Sequence, residues 1–272
     1  MPELPEVETV CRGIEPHVSA QRIAKVTVRD RRMRWPIPAD LEQRLTGRRI
    51  EQVSRRAKYI VLLLDSGDRL LIHLGMSGRL RVLAPDVAAI RHDHLDMLLA
   101  NDVLLRLNDP RRFGAVLLWD AGDDDHELLA HLGPEPFDPA FNGDYLFNRS
   151  RGRRGAVKNF VMDGQVVVGA GNIYASEALF RAGIRPGRAA GRVSRAEYAQ
   201  LARHIREVLE AAIRQGGTTL RDFVGASGHA GYFQQDLSVY GRTLQPCRTC
   251  ASPIKRLVIG QRSSFYCPTC QR

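Results

Sequence analysis

The stretch "CRTCASPIKRLVIGQRSSFYCPTC", residues 247–270, carries four of the chain's five cysteines. They form two C-x2-C pairs, Cys247 with Cys250 and Cys267 with Cys270, and sixteen residues separate the pairs. Two tight turns that each offer two thiolates to one ion are typical of a tetrahedral zinc site. The alternative is two disulfides, which need an oxidising compartment. Because the N-terminus has no secretion signal, the spacing favours one structural zinc ion in a small β-hairpin ribbon.

Upstream of the ribbon the apolar residues recur with a helical period, most clearly in "SRAEYAQLARHIREVLEAAIRQGG", residues 194–217. Ser194 is a typical N-cap, and a glycine pair closes the segment. Between Ile23 and Trp119 the pattern is instead one of short β-rich runs broken by turns, which predicts an antiparallel sandwich or barrel. The fold class is therefore α+β with two domains.

The predicted organisation has four segments. Residues 1–133 form an N-terminal β-sandwich domain, residues 134–150 a linker rich in proline and glycine, residues 151–235 a helical domain, and residues 236–272 the zinc ribbon. The ribbon is too small to fold without its metal.

Charge and hydropathy indicate the class of partner. Lysine and arginine number 40 against 30 aspartates and glutamates, a net charge of +10. This surplus indicates a polyanion, nucleic acid before a membrane surface. No run approaches the roughly 20 apolar residues that span a bilayer. We therefore expect an intracellular, cytoplasmic DNA-binding protein with no membrane partner.

The opening decamer, "MPELPEVETV", predicts a helix that begins just after Pro2. Pro5 suits a first helical turn, and Gly13 and Pro16 predict the end of the helix. Removal of the initiator methionine would leave Pro2 as a secondary amine beside the positive end of a helix dipole, which favours the unprotonated, nucleophilic form. The alternative is that the proline and the nearby acids serve only to start the helix.

Further motifs follow the decamer in order. They are "RRAKY" (55–59), "HLGMSGRL" (73–80), "HDH" (92–94), "NDPRRFG" (108–114), "GNIYASE" (171–177), "GGTTLRDF" (216–223) and "QRSSFYCPTCQ" (261–271). Together they resemble the formamidopyrimidine-DNA glycosylases, bacterial base-excision enzymes for oxidised purines, over nearly the whole chain. The resemblance implies a monomeric bifunctional glycosylase and AP lyase. It would act on duplex DNA that contains 8-oxoguanine, a formamidopyrimidine or an abasic site, and associate with the nucleoid when acting.

The resemblance also implies a catalytic set. Pro2 would be the Schiff-base nucleophile, and Glu3 the acid that helps to expel the base and open the sugar. The Schiff base would lead to β,δ-elimination. Lys58 would be a cation at a phosphate and a proton donor in β-elimination, although a surface lysine at a strand start is a common alternative. Arg262 would hold a phosphate from the ribbon tip.

DNA binding is assigned in the same way. An enzyme that extrudes a nucleotide must fill the gap in the stack, and Met76, Arg111 and Phe113 match that role, unless the two apolar side chains belong to the core. "MDGQVVVGAGNIYASEALF", residues 162–180, resembles a helix-two-turns-helix element. The expected phosphate contacts are His73, His92, Arg112, Arg154 and Asn172. His73 could instead be a buried structural histidine, Asn172 a helix cap, and "HDH" lacks a third metal ligand.

Recognition of the damaged base is the least direct of these assignments. The resemblance points to Glu177, Lys158, Gly216, Thr218 and Tyr232, the last three in a glycine-rich loop that would close over the flipped purine. The loop reads "SGHAGYF" where a lysine and a proline are expected, and "VKNF" replaces a proline-aromatic pair. The open alternatives are an endonuclease VIII-like enzyme for pyrimidines and a non-catalytic zinc-ribbon protein that binds DNA.

Overall fold

A computed structural model of the chain describes residues 2–123, 125–216 and 237–272. Contacts between Cα atoms divide it into two compact units, with the break in the sequence after Ala130. The zinc ribbon belongs to the second unit, together with the helices between residues 143 and 214. The four segment bounds proposed from the sequence stay predictions.

The first unit contains the predicted β-sandwich and its N-terminal helix. The elements are α1 (Leu4–Val18), β1 (Ile23–Val28), α2 (Leu41–Leu45), β2 (Ile50–Arg56), β3 (Tyr59–Leu64), β4 (Arg69–His73), β5 (Arg79–Leu83), β6 (Asp93–Leu99), β7 (Leu104–Asn108) and β8 (Ala115–Trp119). The strands form two four-stranded antiparallel sheets with the orders β1-β6-β7-β5 and β2-β3-β4-β8. Apolar side chains of α1 and of both sheets form one buried core.

The helix α1 begins as the sequence predicts and ends later. Its N-cap is Glu3, and it continues through Pro16 to Val18, so the prediction that Gly13 and Pro16 end it is wrong. A proline in the last turn removes one backbone hydrogen bond, whereas Val18 is fully buried in the core, and that burial holds the last turn in place.

Two connections cross from one sheet to the other. Residues 74–78 link β4 to β5, and residues 109–114 link β7 to β8. Because β4 pairs with β8 and β5 pairs with β7, both connections cross the same edge of the sandwich, side by side and in opposite directions. Two loops far apart in the sequence are thereby neighbours.

The second unit has a helical part and a hairpin ribbon, as predicted. Its elements are α3 (Gly143–Ser150), α4 (Val157–Met162), α5 (Asn172–Arg181), α6 (Arg195–Arg214), β9 (Lys255–Ile259) and β10 (Arg262–Tyr266). Ser194 caps α6 in a reciprocal capping box with Glu197, which confirms the predicted start of this helix. None of the helices within the described ranges has the length and apolarity needed to cross a bilayer.

Candidate catalytic and DNA-binding site

The N-terminus of α1 places two predicted catalytic residues next to each other. Pro2 is partly exposed and lies two residues before the first helical residue, Leu4. Glu3 is only 4% exposed, and its backbone N–H donates to Glu6 Oε2 at 2.9 Å in a reciprocal capping box. Pro2 therefore directly precedes the N-cap, at the positive end of the helix dipole.

Lys58 lies in the two-residue turn between β2 and β3, after Ala57, whose φ is 54°. Arg55 ties this turn to α1, because it donates to Ala57 O at 2.9 Å and to Glu8 Oε2 at 3.0 Å. Burial raises the pKa of Glu8, but hydrogen bonds from Arg12 and Arg55 outweigh it and hold that pKa below its ordinary value. The turn that carries Lys58 is thus attached to the helix that begins beside Pro2.

The three side chains expected to fill the DNA stack lie on the two crossing loops. Met76 is 43% exposed and Phe113 is 45% exposed, so neither is a core residue. The Arg111 guanidinium carbon lies 4.8 Å from the centre of the Phe113 ring. The fold therefore brings an apolar side chain and a planar pair to one edge of the sandwich.

His73, at the end of β4, is largely buried against Tyr59, with ring centres 4.9 Å apart. Its Nδ1 accepts the backbone N–H of Gly75 at 3.0 Å. Burial, followed by the charges of Lys58 and Arg34, lowers the pKa of His73 to about 4. A neutral histidine that accepts from the loop backbone supports the structural alternative more than a phosphate contact.

The other expected phosphate contacts of this unit differ in their surroundings. His92 is partly exposed with φ 72°, whereas His94 is buried and its Nε2 contacts a backbone carbonyl at 2.8 Å. Arg112 forms an ion pair with Asp30 at 2.7 Å. Hydrogen bonds from Arg32 hold the pKa of Asp30 well below its usual range. Arg112 therefore already has an acidic partner in the protein.

In the second unit, Lys158 is fully buried at the start of α4. Its Nζ donates to Asn172 Oδ1 at 2.5 Å, Ser264 Oγ at 2.7 Å and Ser263 O at 3.1 Å. The side chain therefore joins α4, the first residue of α5 and strand β10.

Two expected phosphate contacts, Asn172 and Arg262, are close to this buried ammonium group, since Asn172 binds it directly and Arg262 precedes Ser263 in the sequence. Asn172 Nδ2 donates to Ser263 O at 3.1 Å and to the Tyr240 hydroxyl at 3.3 Å. Arg262 follows the β9–β10 turn, in which Gly260 and its successor both have positive φ, and it is exposed. Its guanidinium has no hydrogen bond or ion pair with any described residue, so it is available to an external anion.

Arg154 is exposed in the loop before α4. With Arg153 and Arg192 it lines a surface depression of about 450 Å³.

Glu177 is buried in α5 and accepts three backbone N–H groups. Oε2 accepts from Ser238 at 2.8 Å, and Oε1 accepts from Val239 and Tyr240 at 2.9 Å each. It anchors the chain that leads into the ribbon. Gly216 has φ 78°, whereas Thr218 and Tyr232 lie outside the described residues.

The four ribbon cysteines converge on one point. Their sulfur atoms all lie within 4.8 Å of one another, and none is in a disulfide. Four sulfurs at zinc–thiolate distance around one ion would be about 3.8 Å apart, so the donor set fits a tetrahedral zinc ion. Across the described ranges no other group of three or more potential ligand residues comes together.

Sequence reasoning missed two residues that hold the crossing loops, Ser77 and Asp109. Asp109 is fully buried, and it accepts the Ser77 hydroxyl at 2.6 Å. An aspartate before a proline is ordinarily interpreted as a turn residue, so no local signal could have predicted this contact.

Comparison with known families shows three matches in order along the chain. The formamidopyrimidine-DNA glycosylase N-terminal domain matches residues 1–116, its H2TH domain residues 132–224, and a zinc finger found in FPG and IleRS residues 245–272. Proteins named formamidopyrimidine-DNA glycosylase from Thioalkalivibrio sulfidiphilus and Stutzerimonas stutzeri are 59% and 58% identical to the chain over 272 residues, 100% of both partners.

Solved structures give the same result. A mutant Lactococcus lactis Fpg in complex with Fapy-dG DNA has a TM-score of 0.90 and a sequence identity of 32% to this chain. The L. lactis enzyme bound non-covalently to DNA with an AP site has a TM-score of 0.89 and an identity of 32%. Both cover 100% of each chain. The Thermus thermophilus protein gives 0.86 at 38% identity, over 99% of this chain and 98% of that one. These matches support the resemblance over the endonuclease VIII-like and non-catalytic alternatives.

Proposed function

Because the chain belongs to the formamidopyrimidine-DNA glycosylase family, we infer that it is a DNA glycosylase and AP lyase that excises oxidised purines from duplex DNA in base excision repair. Its DNA substrates contain Fapy-dG or abasic sites, as in the related complexes, and 8-oxoguanine is a further expected lesion. The observation that carries the catalytic assignment is the position of Pro2 beside buried Glu3 at the start of α1.

The first step is attack by the Pro2 nitrogen on C1′ of the damaged nucleotide. The nitrogen lone pair forms the new bond, the bond from C1′ to the base breaks, and the base leaves with that electron pair and takes up a proton. Loss of the amine proton and cleavage of the C1′–O4′ bond then give an iminium, while O4′ is protonated. We assign that proton to the Glu3 carboxyl.

The iminium makes the neighbouring C2′–H acidic, because the electron pair left behind is delocalised onto nitrogen. Loss of that proton expels the 3′ phosphate, and a second elimination expels the 5′ phosphate. Lys58 lies on a turn attached to α1 through Arg55 and Glu8, which supports its role at a phosphate during these steps.

The remaining side chains are assigned to binding the duplex. Met76, Arg111 and Phe113 would occupy the space left by the flipped nucleotide. Arg262 and the start of α5 at Asn172 would hold phosphates, with His92, Arg112 and Arg154 as further contacts.

Two residues predicted to recognise the base have surroundings that support a different role. Lys158 and Glu177 are both buried. Lys158 binds the Asn172 side chain, and Glu177 binds backbone N–H groups of the segment that leads into the ribbon. We propose that they position the phosphate-binding atoms and do not contact the base. The cysteines would hold one zinc ion, which supplies a structural link for the ribbon.

Several features of the protein's setting stay predictions. They are a monomeric state, a cytoplasmic location with association to the bacterial nucleoid, and the segment bounds at residues 133, 150 and 235.

Borohydride trapping tests the catalytic assignment. On duplex DNA with 8-oxoguanine opposite cytosine, borohydride should reduce the iminium and yield a covalent complex whose modified residue is Pro2. Pro2→Gly should strongly reduce trapping, whereas the matched control Pro5→Ala, in the first helical turn, should retain it. An intact-mass measurement establishes whether Met1 is removed. Trapping that maps to Lys58 would overturn the assignment.

A further inference from the structure

The two loops that cross the sandwich edge are in direct backbone contact. Gly75 has φ 61°, and a Cβ placed on it would lie 2.4 Å from the Phe113 carbonyl carbon. A Cβ on Gly114 would lie 2.6 Å from His73 O. Each loop therefore needs a glycine where the other passes, and no side chain separates them.

One buried carboxylate binds both loops. Asp109 Oδ1 accepts the Ser77 hydroxyl at 2.6 Å, and Oδ2 accepts the Gly114 N–H at 2.8 Å. The Arg111 N–H lies 3.3 Å from both Asp109 Oδ1 and Ser77 Oγ. Ser77 directly follows Met76, while the other donors flank Phe113.

The backbone of Asp109 is itself held in place. Its N–H donates to His92 O at 3.1 Å, and its carbonyl contacts the buried His94 Nε2 at 2.8 Å. These bonds attach Asp109 to the region where β6 begins, so the carboxylate has a fixed position relative to the first sheet.

We propose that the Ser77–Asp109 hydrogen bond is a positioning device that couples the two loops, so that Met76, Arg111 and Phe113 enter the DNA stack as one preformed unit. The proposal rests on the void-filling role assigned to those three side chains. If the loops moved independently, each would have to be ordered when DNA binds, which lowers affinity for the everted state.

The size of the effect follows from the chemistry of the bond. A hydroxyl that donates to a buried carboxylate contributes more than a neutral hydrogen bond. Removing only the hydroxyl leaves Asp109 its backbone donors, so Ser77→Ala should fold. We expect a loss of about tenfold in kcat/KM for excision from duplex DNA.

The experiment compares two substrates. One is a duplex with 8-oxoguanine opposite cytosine, which requires eversion and void filling, and the other is a single-stranded oligonucleotide with an abasic site, which requires neither. Ser77→Ala should lose about tenfold on the duplex and stay within about twofold on the single strand. Ser77→Thr, which keeps the hydroxyl, should restore duplex activity. Ser66→Ala, in the turn between β3 and β4, is the matched control.

A fluorescent readout follows the loops themselves. 2-Aminopurine placed next to the lesion site reports unstacking on insertion, and Ser77→Ala should slow its fluorescence rise in parallel with kcat/KM. Asp109→Asn should have an equal or larger effect. Equal losses on both substrates, or full duplex activity of Ser77→Ala, would overturn the coupling. If the parent protein itself forms no borohydride adduct on the single strand, the proposed function fails instead.

Discussion

Each unit has a fully buried ionic group among the residues that we propose to contact DNA, but the two groups have opposite charge. In the first unit, the Asp109 carboxylate accepts hydrogen bonds from a hydroxyl group and a backbone amide on two different loops. In the second unit, the Lys158 ammonium group donates hydrogen bonds to a side-chain amide oxygen of α5 and to a carbonyl and a hydroxyl oxygen of β10.

The difference lies in what surrounds each ion. Asp109 lies at the edge of a sandwich whose two sheets and α1 share one large apolar core. Lys158 reaches a ribbon whose own core consists of a few side chains, among them Cys247 and Cys267. The second unit also has an apolar core among its helices, but the ribbon itself is held by the buried cation and a metal site, so the sandwich edge and the ribbon should fail under different treatments.

The largest difference should come from removing zinc. Cys267→Ser should abolish stoichiometric zinc and the ribbon fold, since a structural site contributes about 10 kcal/mol or more. The loss is measured as the zinc content and the affinity for abasic DNA. The control is Cys11→Ser, at a buried position of the first unit, which should keep one zinc ion per chain. A zinc-free protein with full affinity would show that the ribbon does not depend on the metal.

The next effect concerns the buried ammonium group. Lys158→Met keeps the length of the side chain but removes the ammonium donor to Asn172 Oδ1 and Ser264 Oγ, while Ser263 O keeps the Asn172 amide as a donor. The change should lower the free energy of unfolding by about 3 kcal/mol and weaken binding to damaged and undamaged DNA alike. Lys255→Met, on the exposed face of β9, should change neither quantity. A variant of unchanged stability with an altered preference among lesions would restore Lys158 to base recognition.

Within the second unit, a charged and a neutral contact can be separated by salt. Arg262→Ala should flatten the dependence of log affinity on log salt by about one unit, because one phosphate is no longer neutralised. Asn172→Ala should reduce affinity and leave the slope nearly intact. Titration of both variants against one abasic duplex checks this, and an unchanged slope for Arg262→Ala would limit the ribbon to structural support.

The smallest effect concerns pH and the first unit. The folded pKa of His73 is about 4 against an ordinary 6.5, because of burial and the charges of Lys58 and Arg34. The unfolded chain therefore binds more protons between these values, so His73 contributes to stability fully above pH 6.5 and less as pH falls toward 4. The loss is at most about 1.4 kcal/mol per pH unit.

Urea unfolding at pH 7.5 and pH 5 measures this contribution. His73→Gln should lose less stability than the parent over that interval, and His131→Gln, at an exposed position, should behave as the parent does. Identical pH dependence of parent and His73→Gln would contradict the assignment.

The strands that could be predicted from the sequence are those with near-continuous apolar runs, such as β3 and β7. Strands β2 and β5 have no such run, because charged and polar residues alternate in them with apolar ones. Both are edge strands of their sheets, and charged side chains on an edge are how sheets avoid pairing with another chain. In the sequence alone, such a pattern cannot be distinguished from that of a polar turn, because the hydrogen bonds that define the strand come from a neighbouring strand.

The same division applies to the site. The zinc ligands and the cap at Ser194 follow from the sequence alone. Each C-x2-C pair and the pair of Ser194 with Glu197 lie within one local turn, so their spacing is itself the signal. The burial of three other side chains depends on distant partners. Asp109 binds a residue 32 positions away, Lys158 one 106 positions away and Glu177 one 62 positions away. A side chain's burial and charge partner are set by elements that meet only when the chain folds, so the tertiary structure alone decided them.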